Sequence, residues 1–149
     1  MNLEQKIKQQ EIKKEPTNQI RKITNYDILL LKYSRTVDNI DMFLGPISEI
    51  AKISDSETIK TTGLAIALIK GIIKLPFVTM YLKRTKDYAS LYDWIPKEIF
   101  SYVVPMGSFI DILRSYEKIT FKHYGIKPFT EIPTKKELNT KLITQKNYV

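Results

Sequence analysis

Residues 63–82, GLAIALIKGIIKLPFVTMYL, are the one stretch long enough to raise the question of a membrane, because about 20 helical residues cross a hydrocarbon core. Ten Leu, Ile, Phe and Val residues fall within 64–82. At about −0.3 to −0.6 kcal/mol each they contribute roughly −3 to −6 kcal/mol to insertion, whereas Lys70 and Lys74 oppose it by about 2.5 to 3.5 kcal/mol apiece. The sum is near zero. Alone, this helix neither inserts decisively nor resembles the surface helix of an ordinary soluble domain.

The exceptions to its apolar character are not scattered. At 100° per residue, Gly63, Ala67, Lys70, Gly71, Lys74, Val78 and Tyr81 share one stripe. Gly63, Ala67 and Gly71 repeat every four residues, a spacing that lets a second helix approach closely, as helices packed in lipid often do. Two lysines beside such a groove need a polar partner or must snorkel to the interface. Past the segment come Lys83, Arg84 and Lys86, then Tyr88, Tyr92, Trp94 and Tyr102, and basic side chains with amphipathic aromatics are the composition of a membrane interface. A second apolar stretch, 99–113, is interrupted by Pro105, Gly107 and Asp111 and is too broken to span by itself. Asp111 is a candidate partner for Lys70 or Lys74. A soluble bundle offers the rival account, with the same helix buried on most sides and the two lysines on its one exposed stripe.

The rest of the chain reads as helix. Asn25 can cap a helix from Tyr26 to Leu44, carrying a heptad seam of Tyr26, Leu30, Tyr33, Val37, Ile40 and Leu44 that packs into the protein's own core, with Lys32, Arg35 and Asp38 opposite. Gly45-Pro46 should stop it, and a short helix follows to Ile53. Ser54 and Glu57 offer a capping box that opens a long helix, 57–92, kinked at Pro76. Pro96 suits the first turn of the next helix, to Val104. Ser108, with Asp111 three residues on, opens a last amphipathic helix that Gly125 ends, and Thr134 with Glu137 caps a small segment beyond it. No strand-like alternation is sustained. The expected fold is all-α: a small helical bundle with one long hydrophobic helix, a helical hairpin broken at Pro105-Gly107, and extended polar termini. The chain divides into a polar N-terminal arm at 1–25, a helical domain at 26–125 and a basic extended tail at 126–149.

Whole classes of chemistry are removed by composition. The chain of 149 residues has no cysteine and one histidine, so disulfides, thiolate catalysis, sulfur-ligated metals and paired-histidine metal sites are excluded. Its five glycines are too scattered for a phosphate-cradling loop. Ser108 lacks a nucleophile frame, and His123 lies too far along the chain to serve it. Asp38/Asp41 and Asp55/Glu57 sit on a polar helix face or in a cap with no pocket implied, and His123 reads as a last-turn residue favoured by the helix dipole. No catalytic, cofactor-binding or metal-binding residues are expected, and no cofactor.

The net charge of +8 points first to nucleic acid. Its distribution points elsewhere. Residues 114–149 carry eight basic against three acidic side chains, spread rather than clustered, and the chain has only four arginines. Such a tail suits an anionic lipid surface or an acidic groove on another subunit. The reading that follows is a non-enzymatic, membrane-associated protein, intracellular for want of a cleavable signal peptide, and a structural or accessory subunit of a larger membrane complex. Its partners would be other protein subunits and anionic lipid. The alternative is a soluble helical module that binds nucleic acid or a ribonucleoprotein assembly through its tail.

Overall fold

A computed structural model describes residues 22–103 and 115–146. Those residues form five α-helices and no strand: α1 (Asn25–Lys52), α2 (Glu57–Thr85), α3 (Tyr88–Val103), α4 (Ser115–Phe121) and α5 (Lys135–Lys146). Residues 1–21 of the expected arm, Pro105-Gly107 and Asp111 lie outside the described residues.

Helices α1 and α2, 28 and 29 residues long, form an antiparallel hairpin about 43 Å in length. Its pairing runs from tip to base. Ser48 Oγ donates to the Gly63 carbonyl at 3.3 Å, Tyr33 Oη to the Ile73 carbonyl at 2.7 Å, and Arg84 Nη2 to Asp27 Oδ2 at 2.9 Å. At the base the other helices gather into a head with two cores. Leu30, Val37, Phe77, Tyr81, Leu91, Trp94 and Tyr116 make one, in which the Tyr116 ring meets Phe77 and Trp94 edge-on, both at 5.0 Å between centroids. Ile23, Leu31, Phe121, Tyr124, Ile126 and Leu138 make the other.

Local chemistry sets the helix ends, in places one or more residues from where the sequence puts them. Thr24, not Asn25, caps α1: its amide and hydroxyl donate to Asp27 Oδ2 at 2.6 and 2.8 Å. Gly45-Pro46 does not end α1. Pro46 removes one helical donor, yet the turns beyond it carry Ser48, Glu49 and Ala51 into the contact with α2, and that packing outweighs the lost bond. Pro76 is likewise inside α2, but the helix stops at Lys86 rather than near residue 92. Lys86 adopts φ 53°, and Asp87 Oδ1 then accepts the Ser90 amide at 3.0 Å, capping α3. Pro96 therefore sits within α3 instead of opening a helix. The Ser54–Glu57 box does not form; Ser56 precedes the first turn, and Ser54 Oγ accepts the Ser56 amide at 3.2 Å. Gly125, at φ 61°, ends a 3-10 turn that follows α4, as its residue type leads one to expect.

The C-terminal segment is less extended than its composition implies. The Thr134–Glu137 capping box forms and opens α5, whose Leu138 is buried in the second core. Asn139 fastens it: its Oδ1 accepts the Ile23 amide at 2.9 Å.

The glycines of the small-residue stripe have different surroundings. A Cβ on Gly63 would stand 2.6 Å from the Ala51 Cβ, a distance no packed pair tolerates, whereas one on Gly71 would meet nothing within 4 Å. Gly63→Ala should therefore destabilise the hairpin by about 1–3 kcal/mol through overpacking. Gly71→Ala should be neutral or stabilising, up to about 1 kcal/mol, through helix propensity. Unfolding followed by circular dichroism separates the two, and equal effects would contradict the crossing described here.

Candidate functional site: a polar seam inside an apolar hairpin

The hairpin is built the reverse way from a soluble helix pair. On α2, the exposed residues between 64 and 76 are Leu64, Ala65, Leu68, Ile69, Ile72, Leu75 and Pro76, all apolar. The only charged residues there, Lys70 and Lys74, are 1% and 4% exposed, while Leu68 is 70% exposed. The facing part of α1 repeats the pattern. From 40 to 53 its exposed residues are Met42, Phe43, Ile47, Ile50 and Ile53, whereas Asp41, Ser48 and Glu49 are buried. Stripes at helical period on two sequences thus converge on one polar seam, and the greasy surfaces turn outward.

At the centre of the seam Asp41 lies between two lysines. Its Oδ1 is 3.3 Å from Lys70 Nζ and its Oδ2 2.8 Å from Lys74 Nζ. These are ion-pair contacts in poor hydrogen-bond alignment, so the carboxylate is held by charge more than by directed bonds. Lys70 and Lys74 are one turn apart on α2, which is why a single carboxylate on α1 reaches both. Lys74 Nζ also stands 5.2 Å from the centroid of the Tyr116 ring, a cation–π contact. Towards the tip Glu49 takes Lys52 Nζ at 2.8 Å. Towards the head Asp38 accepts the Tyr116 and Glu117 amides at 3.2 and 2.7 Å, so it caps the first turn of α4. Glu117 is fully buried and receives Arg35 Nε at 2.7 Å. Three carboxylates, Asp41, Glu49 and Glu117, are thereby paired with four cations, Arg35, Lys52, Lys70 and Lys74, while Asp38 is held by backbone amides.

At the base of the hairpin two carboxylates join head to helices. Asp27, itself buried, accepts from Thr24, Arg84 and Tyr124, the last at 2.7 Å. Burial pushes its carboxyl up, but the Arg84 guanidinium, the Thr24 amide and the two hydroxyls outweigh that and hold it below the usual carboxylate range. Asp87 receives Tyr81 Oη at 2.8 Å and His123 Nε2 at 3.0 Å. Burial and the neighbouring Lys122 charge lower the imidazole of His123, against the pull of Asp87, so at neutral pH this contact is a hydrogen bond from a neutral ring carrying its proton on Nε2. Asp87 itself, against the cost of its burial, is held far below the ordinary range by Ser90, Tyr81 and Lys122.

The residues singled out in the sequence are thus redistributed. Gly63, Lys70 and Lys74 do face another helix. The lysines' partner among the described residues is Asp41; Asp111 lies outside them. Ala67 is half-buried, and Gly71 faces open space. Of the interfacial set, Lys83, Lys86, Tyr88 and Tyr92 are exposed as expected. Arg84 instead pairs with Asp27, and Trp94 packs in the core with 8% exposure; Tyr102 lies in α3. Asp38 and Asp41, read as a solvated face, are interior because the solvated face of α1 is not its polar one. His123 serves Asp87 rather than the helix dipole.

Two outcomes follow. Asp41→Asn leaves two buried ammonium groups without their carboxylate and should cost about 3–5 kcal/mol, whereas replacing Asp41, Lys70 and Lys74 together by Asn, Met and Met should recover most of it. Denaturation midpoints of the three proteins test this, and a single variant as stable as wild type would refute the role of Asp41. Acidification removes the separate contributions of His123, Asp27 and Asp87. Below about pH 6.5 the unfolded chain protonates His123 before the folded chain does, and below about pH 4 it protonates Asp27 and Asp87 first, so each contribution is full above its value and is lost as the pH falls through it. The stability difference between wild type and His123→Gln should therefore shrink as the pH is lowered from 7.5 to 5, a result read from paired denaturation midpoints.

No known family model, curated protein or solved structure matches the chain.

Proposed function

We propose that this chain is a non-enzymatic, membrane-associated protein that serves as a structural or accessory subunit of a larger membrane complex. One observation carries the reading: along 64–76 every exposed residue is apolar while both lysines are turned inward against Asp41. α2 is long and apolar enough to cross a membrane, and only 22% of its most apolar 18-residue window is buried. The core helix of a soluble domain is mostly buried, so its apolar surface has a use inside the molecule. Here it has none.

The energetics run the same way. Lysines facing lipid oppose insertion by about 5–7 kcal/mol between them and cancel the apolar gain; lysines sealed in the seam leave a net driving force of several kcal/mol. Such inward placement and pairing is how ionisable residues are usually held within membrane proteins. The outward apolar stretch of α2, 64–76, is about 20 Å long, a length that a hydrocarbon core of about 30 Å accommodates by thinning locally. Exposed Lys83, Lys86, Tyr88 and Tyr92 then stand where interfacial residues belong. The subunit part of the proposal rests on the absence of any catalytic signature in the sequence and on an apolar surface extending over both helices, broad enough for protein neighbours as well as lipid.

Fractionation tests the proposal. The wild-type chain should stay with membranes through high salt and alkaline carbonate and leave them only in detergent, and mild-detergent purification should bring other subunits with it. Leu68→Glu with Ile72→Glu, both on the outward face, should move a large fraction into the carbonate-soluble pool. A wild-type chain released by salt or carbonate with its helical circular dichroism intact would overturn the reading.

A further inference from the structure

The hairpin has two unlike ends, and the difference fixes a topology. Its tip is the loop 53–56, which contains no basic residue; Asp55 and Glu57 are exposed there, and the lysines nearest it, Lys52 and Lys60, each pair with a glutamate one turn away. Its base is the head. Among the described residues of the head ten lysines are exposed, among them Lys22, Lys83, Lys86, Lys122, Lys127 and Lys135, against the exposed carboxylates Asp93, Glu131 and Glu137. The head also holds both chain directions. The start of α1 is tied to the end of α2 by Asp27 and Arg84, to the turn after α4 by Tyr124, and to α5 by Asn139.

We infer that α1 and α2 cross the bilayer completely as a two-helix hairpin, with the loop 53–56 on one side and the entire lysine-bearing head on the other, the side from which insertion begins. The inference rests on the membrane reading above and goes beyond it by fixing the number of crossings and their direction. The physical grounds are three. The outward apolar surface, 64–76 on α2 and 40–53 on α1, is about 20 Å long, and a bilayer that thins around this shorter stretch lets the tip emerge rather than end in mid-bilayer. Asp55, Ser56 and Glu57 at the tip are exposed among the described residues and require water on the far side. Basic residues close to the ends of spanning helices are retained on the side of insertion, whereas acidic residues count little, so the lysine-poor tip is the end that translocates. The retained head then presents its lysines to an anionic leaflet, where each adds about 1 kcal/mol of attraction near the surface.

The chain has no cysteine of its own, so single cysteines report position without any background removal. Ser56→Cys at the tip and Lys127→Cys on the head are each placed in the full chain and expressed in a bacterial inner membrane. Intact spheroplasts are then treated with a membrane-impermeant maleimide, before and after lysis. Ser56→Cys should label in intact spheroplasts and Lys127→Cys only after lysis, each site differing at least tenfold between the two conditions. Protection of both sites until lysis would mean that the hairpin enters without crossing, and labelling of Lys127→Cys alone would mean the opposite direction; either overturns the inference. Carbonate extraction of the same membranes keeps the two levels apart. Release of the chain marks failure of the membrane reading itself, while retention with the wrong labelling pattern marks failure of the topology alone.

Discussion

Asp41 is the residue on which the hairpin depends. Among the described residues it is the carboxylate that pairs with both Lys70 and Lys74, the two ammonium groups on the inward stripe of α2. The pair of helices can bury these charges only face to face, since neither has a polar face elsewhere along 40–53 or 64–76. Ion pairs of this depth contribute little net stability compared with a well-packed apolar seam, because both partners are stripped of water. What they supply is register. Sliding α2 by one turn would move Lys70 to the level of Lys74 and leave one of them beside apolar neighbours, at several kcal/mol. The close crossing of Gly63 on Ala51 fixes the same register from the tip.

The head continues the logic with different groups. Asp38, one turn before Asp41, caps the first turn of α4 and so places Tyr116, whose ring lies over Lys74 and against Phe77 and Trp94. Glu117, next in the chain, holds Arg35. A single turn of α1 therefore serves both the seam and the head, and the apolar core that contains Tyr116 ends where the charged seam begins. Asp27 and Asp87 do comparable work at the base, each binding three or more donors from separate elements. Carboxylates, not cations, are the fixed points, and lysines and arginines are brought to them.

Much of this was legible in the sequence, and the parts that were not have identifiable causes. The helical class, the outlying character of 63–82 and the stripe that gathers Gly63, Lys70 and Lys74 all follow from period and composition. So does the small capped helix at Thr134, though not Leu138's burial, which needed a partner on Ile23 to be seen. The direction of the stripe was not legible, because a polar stripe on an apolar helix faces water in a soluble protein and faces inward in lipid. Its counterpart could have been found: Asp38, Asp41, Gly45, Ser48 and Glu49 recur on α1 at helical spacing, the same mixture of charged and small residues. Reading only the apolar seam of that helix hid it. Prolines misled in the opposite sense. Pro46 and Pro96 lie inside helices that packing sustains, while the true break, at Lys86, is marked by no proline or glycine and depends on a capping aspartate one residue later.

Inverted polarity also explains why the two helices look so unlike as sequences. α2 passes every compositional test for a spanning helix except its lysines, whereas α1, with Asp38, Asp41, Glu49 and Lys52, passes none. Taken singly, one is marginal and the other unfit. Taken together they hide each other's charges, and the surface left between Ile40 and Ile53 and between Leu64 and Pro76 is apolar on both. Under the proposed membrane role each helix is therefore the other's condition for leaving water, and the unit that would partition is the hairpin. On that proposal the association of α1 with α2 would precede or accompany insertion, since a separated pair would expose the seam's carboxylates and ammonium groups to hydrocarbon at several kcal/mol each. A loop of a few residues between the helices, 53–56, makes that association nearly intramolecular and local, with little closure entropy to overcome.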